Sequence, residues 1–404
     1  MSGSPIVVLD IGSSKTLCIV GEAQSDQVKI LGSGSSPSTG LRRSSITDMT
    51  KVVESIRTAV RDAERSAGLK ITGAYVGMSG EGVSAAQHRS TVAILGDSNP
   101  IDEDDVQRAL TAAEQEAAGT PQTVMHRIVQ NYAVDGEPVQ NPLWLQGNRL
   151  SIETLTVSAA DFASTTLERA ADEAGIHIAG FLLETLAAAE TTLSIDERDM
   201  GVGLLDMGAG TSDLALFCGP LRHVVDIPLG GDDITRDLSM VLNISSREAE
   251  QLKTQCAVRY DGEEGDDMLS FNMTSGRSNS MTRHQISEII EARQREIFEY
   301  VGKAIEASPH ASMMAAGLVL TGGGALMGDV AELAEEVLGL PVRLGVPQDL
   351  VAPGVMQDPS YATAIGLLKL AGSEYDDIGR AEAPLPSSST NGFFSKLSKI
   401  LSLF

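Results

Sequence analysis

Apolar residues between positions 51 and 67 fall at Val52, Val53, Ile56, Ala59, Val60 and Ala63, the 3.6-residue spacing of a helix with one buried face. Two more stretches predict helices. Residues 102–118 gather acidic side chains in the first turn, where they favour the helix dipole. Residues 161–174 are stopped by Gly175. Other apolar runs are short and predict strands. The run from Ala311 to Gly328 carries no charge, but Gly322, Gly323 and Gly324 would unravel a membrane-spanning helix, so it reads as a buried strand followed by a glycine turn. A helix then follows, with Leu326, Val330, Leu333 and Val337 on one face, ended by Gly339 and Pro341.

The pattern contains a duplication. Ile6-Val-Val-Leu-Asp-Ile-Gly-Ser-Ser-Lys15 precedes the apolar run Leu17-Cys-Ile-Val20, and Val202-Gly-Leu-Leu-Asp-Met-Gly-Ala-Gly-Thr-Ser-Asp213 precedes Leu214-Ala-Leu-Phe217. Both read as strand, Asp-x-Gly turn, strand. A duplicated α/β architecture follows, each hairpin opening one lobe, with a cleft between. Residues 82–158 mix short strands with the helix at 102 and read as a small inserted subdomain. Residues 261–280 are polar, with Asp-Gly and Ser-Gly turn signals, and connect exposed strands. From Ser373 to Gly392 few apolar residues remain to offset ordering entropy, which predicts a flexible linker.

The last dozen residues are apolar again. Phe393, Phe394, Leu397, Ile400, Leu401 and Phe404 fall within about 120° of a helical wheel, opposite Ser395, Lys396, Ser398, Lys399 and Ser402; only Leu403 is out of place. Aromatic and aliphatic residues facing lysines suit an interfacial membrane helix. A helix docked on the protein's own core or on a partner is the alternative, and the long linker argues against self-docking. Burying a Phe or Leu contributes about 1.5–3 kcal/mol; insertion is partial, and ordering costs about 1–2 kcal/mol per residue. Each lysine near anionic lipid adds about 1 kcal/mol. One copy binds reversibly, and linked copies bind far more tightly.

Composition narrows the function. The 404 residues carry a net charge of −25, with no basic patch, which argues against nucleic acid as a partner. Cys18, Cys218 and Cys256 lie far apart without metal-ligand spacing, as expected of buried thiols in a reducing cytosol. Asp10 interrupts the first apolar run and no basic run precedes it, so no signal peptide is expected.

Asp-x-Gly turns suit phosphate, because glycine admits close approach and positive φ, letting successive N–H groups converge on an anion. The candidates are Gly12, Ser13, Ser14 and Lys15 in the first turn and Gly208, Gly210, Thr211 and Ser212 in the second, with Lys15 a point charge and Thr211 and Ser212 giving hydroxyls and amides. Asp10 and Asp206, each ending a strand, can hold Mg²⁺ through water. The glycines at 322–324 would let a nucleoside or phosphate lie against backbone; a structural crossover is the alternative.

In this order the three motifs resemble the phosphate-1, phosphate-2 and adenosine motifs of the actin superfamily. Within it the chain resembles the FtsA family of bacterial cell-division proteins. The stretches that carry the likeness are Leu193-Ser-Ile-Asp-Glu-Arg-Asp-Met-Gly-Val202, His126-Arg-Ile-Val-Gln-Asn-Tyr-Ala-Val-Asp-Gly136, Pro228-Leu-Gly-Gly-Asp-Asp-Ile-Thr-Arg-Asp237 and Ile286-Ser-Glu-Ile-Ile-Glu-Ala-Arg293. The resemblance implies an α/β, actin-like (ribonuclease H-like, duplicated) two-lobed ATPase fold with a small inserted α+β subdomain. The first lobe is then 1–82 and 161–200, the insertion 83–160, and the second lobe 201–231 and 310–372. A subdomain at 232–309 receives the FtsZ tail, 373–391 is the linker and 392–404 the amphipathic helix.

The same resemblance implies an ATP-binding, self-associating protein that holds FtsZ filaments on the cytoplasmic face of the membrane at the division septum, as a peripheral protein with further division partners. It adds Gly230, Gly231, Glu250, Lys253 and Met327 to the nucleotide contacts and makes Glu184 the candidate for placing an attacking water. Arg293 becomes a contact for the FtsZ C-terminal tail. As bare sequence features, the Glu250/Lys253 pair is a surface salt bridge and Arg293 a solvated helix charge. Ala209 stands where the family's phosphate-2 loop has glycine, and residues 141–147 depart from the family's run in the insertion. Hydrolysis is expected to be slow at most. A PilM-like pilus component would not need the terminal helix, a small-molecule kinase would need an acceptor pocket with a catalytic Asp, and a chaperone would need a large domain after the ATPase.

Overall fold

The computed structural model describes residues 5–24, 27–95, 100–117, 122–259, 267–348, 350–351 and 356–378. Strands β1 (Ile6–Ile11), β2 (Lys15–Gln24) and β3 (Gln27–Pro37) form an antiparallel meander. The short strands β4 (Leu41–Arg42) and β5 (Ser45–Ile46) form a tight hairpin whose turn residues, Arg43 and Ser44, both have positive φ, the backbone that matches strand twist in a two-residue turn. Helix α1 (Met49–Ala67) begins where Asp48 accepts the Lys51 N–H at 3.3 Å and ends at Gly68 in the left-handed region. Its predicted apolar face is buried. Strand β6 (Gly73–Met78) then lies parallel to β1.

The insertion follows: β7 (Val83–Ala93), α2 (Glu103–Ala117), β8 (Gln122–Val134), β9 (Glu137–Val139) and β10 (Arg149–Ala160). Its strands make a separate sheet, β7-β10-β8-β9, packed with α2 around a core that includes Ile101, Leu110, Val129, Leu150 and Ile152. Helix α3 (Asp161–Ala174) leads to β11 (His177–Leu183), parallel to β6, then to α4 (Glu184–Thr192) and α5 (Ile195–Met200). Ser194 and Glu197 close a reciprocal capping box on α5.

The second half repeats the plan. Strands β12 (Val202–Met207), β13 (Ser212–Phe217) and β14 (Leu221–Ile227) form a meander. Helices α6 (Gly231–Leu242) and α7 (Ser246–Gln255), the hairpin β15 (Met268–Asn272) and β16 (Ser278–Thr282), and the long α8 (Arg283–Ala307) follow. Strand β17 (Leu318–Thr321) runs parallel to β12; then come α9 (Val330–Leu338) and β18 (Val342–Leu344), parallel to β17. Strand β19 (Leu350–Val351) returns to the first sheet beside β3, and α10 (Ala362–Ile378) closes the described chain. The first sheet orders β3-β2-β1-β6-β11 and the second β14-β13-β12-β17-β18, with the same strand directions. This is the duplicated actin-like α/β fold.

Two expectations change. Residues 373–378, placed in the linker by composition, continue α10, because adding residues to a packed helix avoids the cost of nucleation. The triple glycine does not run straight into α9: a 3-10 turn, Gly323–Leu326, and Asp329 at φ 61° intervene. That break shifts the phase, and Leu326 is exposed rather than on the buried face of α9. Residues 393–404 lie outside the described residues. Among those described, no helix is long and apolar enough to cross a membrane.

Candidate functional site between the lobes

The two meanders share the same first turn. Past Asp10 the Gly12 N–H donates to the Lys15 carbonyl at 3.1 Å, and past Asp206 the Gly208 N–H donates to the Thr211 carbonyl at 2.9 Å. These turns and the glycine run after β17 border a cavity of about 600 Å³, within the range of small-molecule sites. Its walls bring together Asp10, Gly12, Ser13, Ser14 and Lys15 from the first turn and Asp206, Gly208, Gly210 and Thr211 from the second. Glu184, at the start of α4, joins them, as do Gly231, Glu250, Lys253, Gly322, Gly323, Gly324 and Met327.

Two predicted residues stand outside this wall. Ser212 begins a strand, so its side chain points opposite to its neighbours; it is buried and donates to the Leu229 carbonyl at 2.9 Å. Gly230 lies behind the second turn, where the Gly231 and Asp232 amides donate to the carbonyls of Gly208 and Ala209 at 3.1 and 2.8 Å. The helix N-terminus therefore braces the loop. Thr211 lines the cavity, but its hydroxyl is spent on Asp213 at 3.1 Å.

The glycines act through space more than through φ. Neither Gly12, Gly208 nor Gly210 has positive φ. A Cβ on Gly210 would lie 2.6 Å from Ser13 Oγ and 3.0 Å from Arg43 Cα, so glycine lets the two lobes' loops touch. Gly322 does need the special backbone, with φ 82° and ψ 176°, and a Cβ there would stand 2.3 Å from Asp206 Oδ1.

Four carboxyl groups cluster in the cleft, and Lys15 acts on two of them, Asp10 and Asp206. Desolvation in the cleft pushes Asp10 up to about 6, against the pull of Lys15 and with a further push from Asp206. Asp206 is raised by the same desolvation, although Thr363 donates to it at 2.5 Å. Glu184 rises well above the ordinary carboxylate range, first through burial and then through Asp10, and Ser79 hydrogen-bonds to it. Asp213, opposite Asp206 in the β12–β13 register, is raised by burial and by Asp226. Lys15 donates to the Ser360 carbonyl and hydroxyl at 3.0 and 3.2 Å and sits 4.1 Å from the centre of the Tyr361 ring. Clustered desolvated carboxylates are chemically suited to a hard divalent cation, which would lower the cost of keeping them ionised. Among the described residues no group of three or more His, Cys, Asp or Glu could cage a metal; Mg²⁺ does not ask for one, since it keeps most of its ligands as water and phosphate oxygen.

At the far end, Lys253 bonds Glu250 at 2.7 Å, the Thr235 hydroxyl at 2.9 Å and the Gly231 carbonyl at 3.1 Å. The pair is thus both a salt bridge and part of the wall. Sequence reasoning missed Ser79, Asp213, Ser360 and Thr363. Asp213 had a signal, since hairpin register sets it opposite Asp206; the others lie in stretches without a motif.

Arg293 lies elsewhere, in a surface groove between α6 and α8. It holds Asp237 through two bonds, at 2.5 and 3.0 Å, and also contacts Glu296. Met240, Val241, Met281 and Ile289 give the groove an apolar floor. Met240 and Val241 are exposed.

Residues 203–366 match the profile described as "Cell division protein FtsA", and residues 80–158 match "SHS2 domain inserted in FTSA". The chain is 35% identical to the cell division protein FtsA of Pseudomonas aeruginosa over 374 residues, covering 91% of this chain and 89% of that one. It is 36% identical to the FtsA of Bacillus subtilis, covering 90% and 83%. Among solved structures it resembles a PilM–PilN type IV pilus biogenesis complex, with TM-score 0.62, 18% identity and coverage of 91% and 98%. It also resembles MreB5 of Spiroplasma citri bound to ADP, with TM-score 0.58, 15% identity and coverage of 92% and 98%. At such identities the likeness is one of fold.

Proposed function

Because the chain belongs to the FtsA family of cell-division proteins, we propose that it binds ATP between its lobes, assembles with itself, and ties FtsZ filaments to the membrane at the division site. The observation that carries the nucleotide reading is the meeting of two equivalent Asp-x-Gly turns and a glycine run around one cavity. Backbone amides of the two turns would receive phosphate oxygens, and Lys15 would leave Ser360 for them. Asp10 and Asp206 would hold Mg²⁺, whose charge screens the phosphates when bound. Gly322–Gly324 and Met327 would lie against the nucleoside, with the Glu250–Lys253 pair at its edge. Glu184 is the candidate for orienting an attacking water; a carboxyl pushed up by burial accepts a proton more readily than an exposed one.

The groove at Arg293 is the proposed seat of the FtsZ C-terminal tail, on exposed apolar residues beside charges that set register. Membrane attachment rests on the spacing of Phe393, Phe394, Leu397, Ile400, Leu401 and Phe404 with Lys396 and Lys399. Each anchor is weak, and self-assembly would multiply its effect. The reading places the protein peripherally on the cytoplasmic face. A labelled FtsZ-tail peptide titrated with the full chain tests the partner assignment. Saturable anisotropy that Arg293→Glu weakens at least about tenfold supports it, and no binding to the wild type removes it.

A further inference from the structure

The stretch from His126 to Gly136 carries family likeness, yet no part of it lines the cleft. It lies in β8, the strand of the inserted sheet with two register shifts against β10, one skipping Met125 and one skipping Gln130. A bulge adds one residue to a strand and re-aims the side chains around it. Here the bulges sit at the two places where β8 reaches out of its own subdomain. His126, which is buried, accepts the Leu183 N–H at 2.9 Å through Nε2. Leu183 ends the edge strand β11 and caps α4, and the next residue is Glu184. Gln130, also buried, donates to the Leu221 carbonyl at 2.9 Å and accepts from Arg222 at 2.9 Å, on the edge strand β14 of the second lobe. Leu155 and Val157 of β10 share a core with Leu183 and Ala188 of the first lobe and with Ala215 and Leu221 of the second.

The inserted sheet is therefore bolted to both lobes, at points four residues, or roughly 13 Å, apart on one strand. We propose that β8 couples the cleft to the insertion: His126 is a positioning residue for Glu184, acting through the Leu183 amide, and Gln130 transmits the position of the second lobe. A nucleotide that touches both turns selects one arrangement of the lobes, and an element fixed to both must follow. This rests on the reading of the cleft as an ATP site.

Hydrogen exchange of the full chain with and without Mg·ATP tests the coupling. In the wild type, ATP should slow exchange across residues 122–134 and 150–158 at least about 5-fold, the lower end of common coupling strengths. His126→Leu, which removes the acceptor, and Gln130→Leu should each abolish that slowing while calorimetric ATP affinity stays within about 3-fold of wild type. His126→Gln, whose amide oxygen can still accept, should restore it; a merely structural role would not distinguish Gln from Leu in this way. Should Leu at 126 prevent folding, Gln130→Leu and His126→Gln carry the test. Slowing that survives in folded, ATP-bound Gln130→Leu overturns the proposal. So does its loss in His126→Gln, or its absence from the ATP-bound wild type. Failure of the wild type to bind ATP at all would remove the reading of the cleft, and the coupling with it.

Discussion

Gly322→Ala separates two meanings of the triple glycine. Its backbone, at φ 82° and ψ 176°, lies in a region essentially closed to residues with a Cβ, and forcing alanine there costs about 1–3 kcal/mol. The added methyl would also stand 2.3 Å from Asp206 Oδ1 and 2.7 Å from the Met207 carbonyl, so β12 or the loop must shift. Together these give an expected loss of about 2–4 kcal/mol of stability, the lower half if the loop yields and the upper if Asp206 does. Gly323→Ala is the control. A Cβ there meets no protein atom within 4 Å and Gly323 lines the cavity. Its stability should stay within about 0.5 kcal/mol of wild type, while ATP affinity falls because the methyl takes space the nucleoside would use. Urea unfolding monitored by circular dichroism, paired with ATP calorimetry, measures both quantities for both variants. Equal stability of Gly322→Ala and wild type would refute the strain argument. A Gly323→Ala variant that loses stability but not affinity would refute the placement of the nucleoside.

Lys15→Ala should weaken ATP binding at least about tenfold, as expected for removal of a charge-assisted contact to phosphate; unchanged calorimetric affinity would remove the first-turn assignment. Glu197→Gln should cost about 1–2 kcal/mol at neutral pH, because Arg343 bonds Glu197 at 2.6 and 2.7 Å while also capping Thr192. That interaction holds the Glu197 carboxyl down at about 2 against 4.5 when free, so its stabilisation is full above pH 4.5 and fades as pH falls towards 2. The gap between wild type and variant in urea unfolding should narrow over that window, and a pH-independent gap would contradict the ion pair. Deleting residues 393–404 should release the protein from anionic vesicles in sedimentation, and binding that persists without them would remove the anchor.

What could be read without coordinates was whatever the backbone demands locally. The Asp-x-Gly turns, the helix stop at Gly175 and the apolar face of α1 each depend on residues within a few positions, and each lies where spacing places it, whereas the cap at Asp48 shows only in the structure. Long-range partners were harder. Thr363 meets Asp206 and Ser360 meets Lys15 across more than 150 residues, and neither stands in a stretch with any pattern of its own. Ser212 faces away from the cavity because a strand sends neighbours to opposite faces, whereas a motif groups them. The motif does not show that positive φ belongs to Gly322 and not to Gly12, Gly208 or Gly210, because glycine looks the same in sequence whether it supplies space or conformation. His126 shows what this implies for function. Its identity and family likeness were on view, but its role depends on two bulges and on a single amide of another lobe, 57 positions away. The Asp-x-Gly turns of such a protein can be found by local pattern. The contacts that would make a distant subdomain respond to what the turns hold must be found in three dimensions, because they are built from irregularities that pattern averages away.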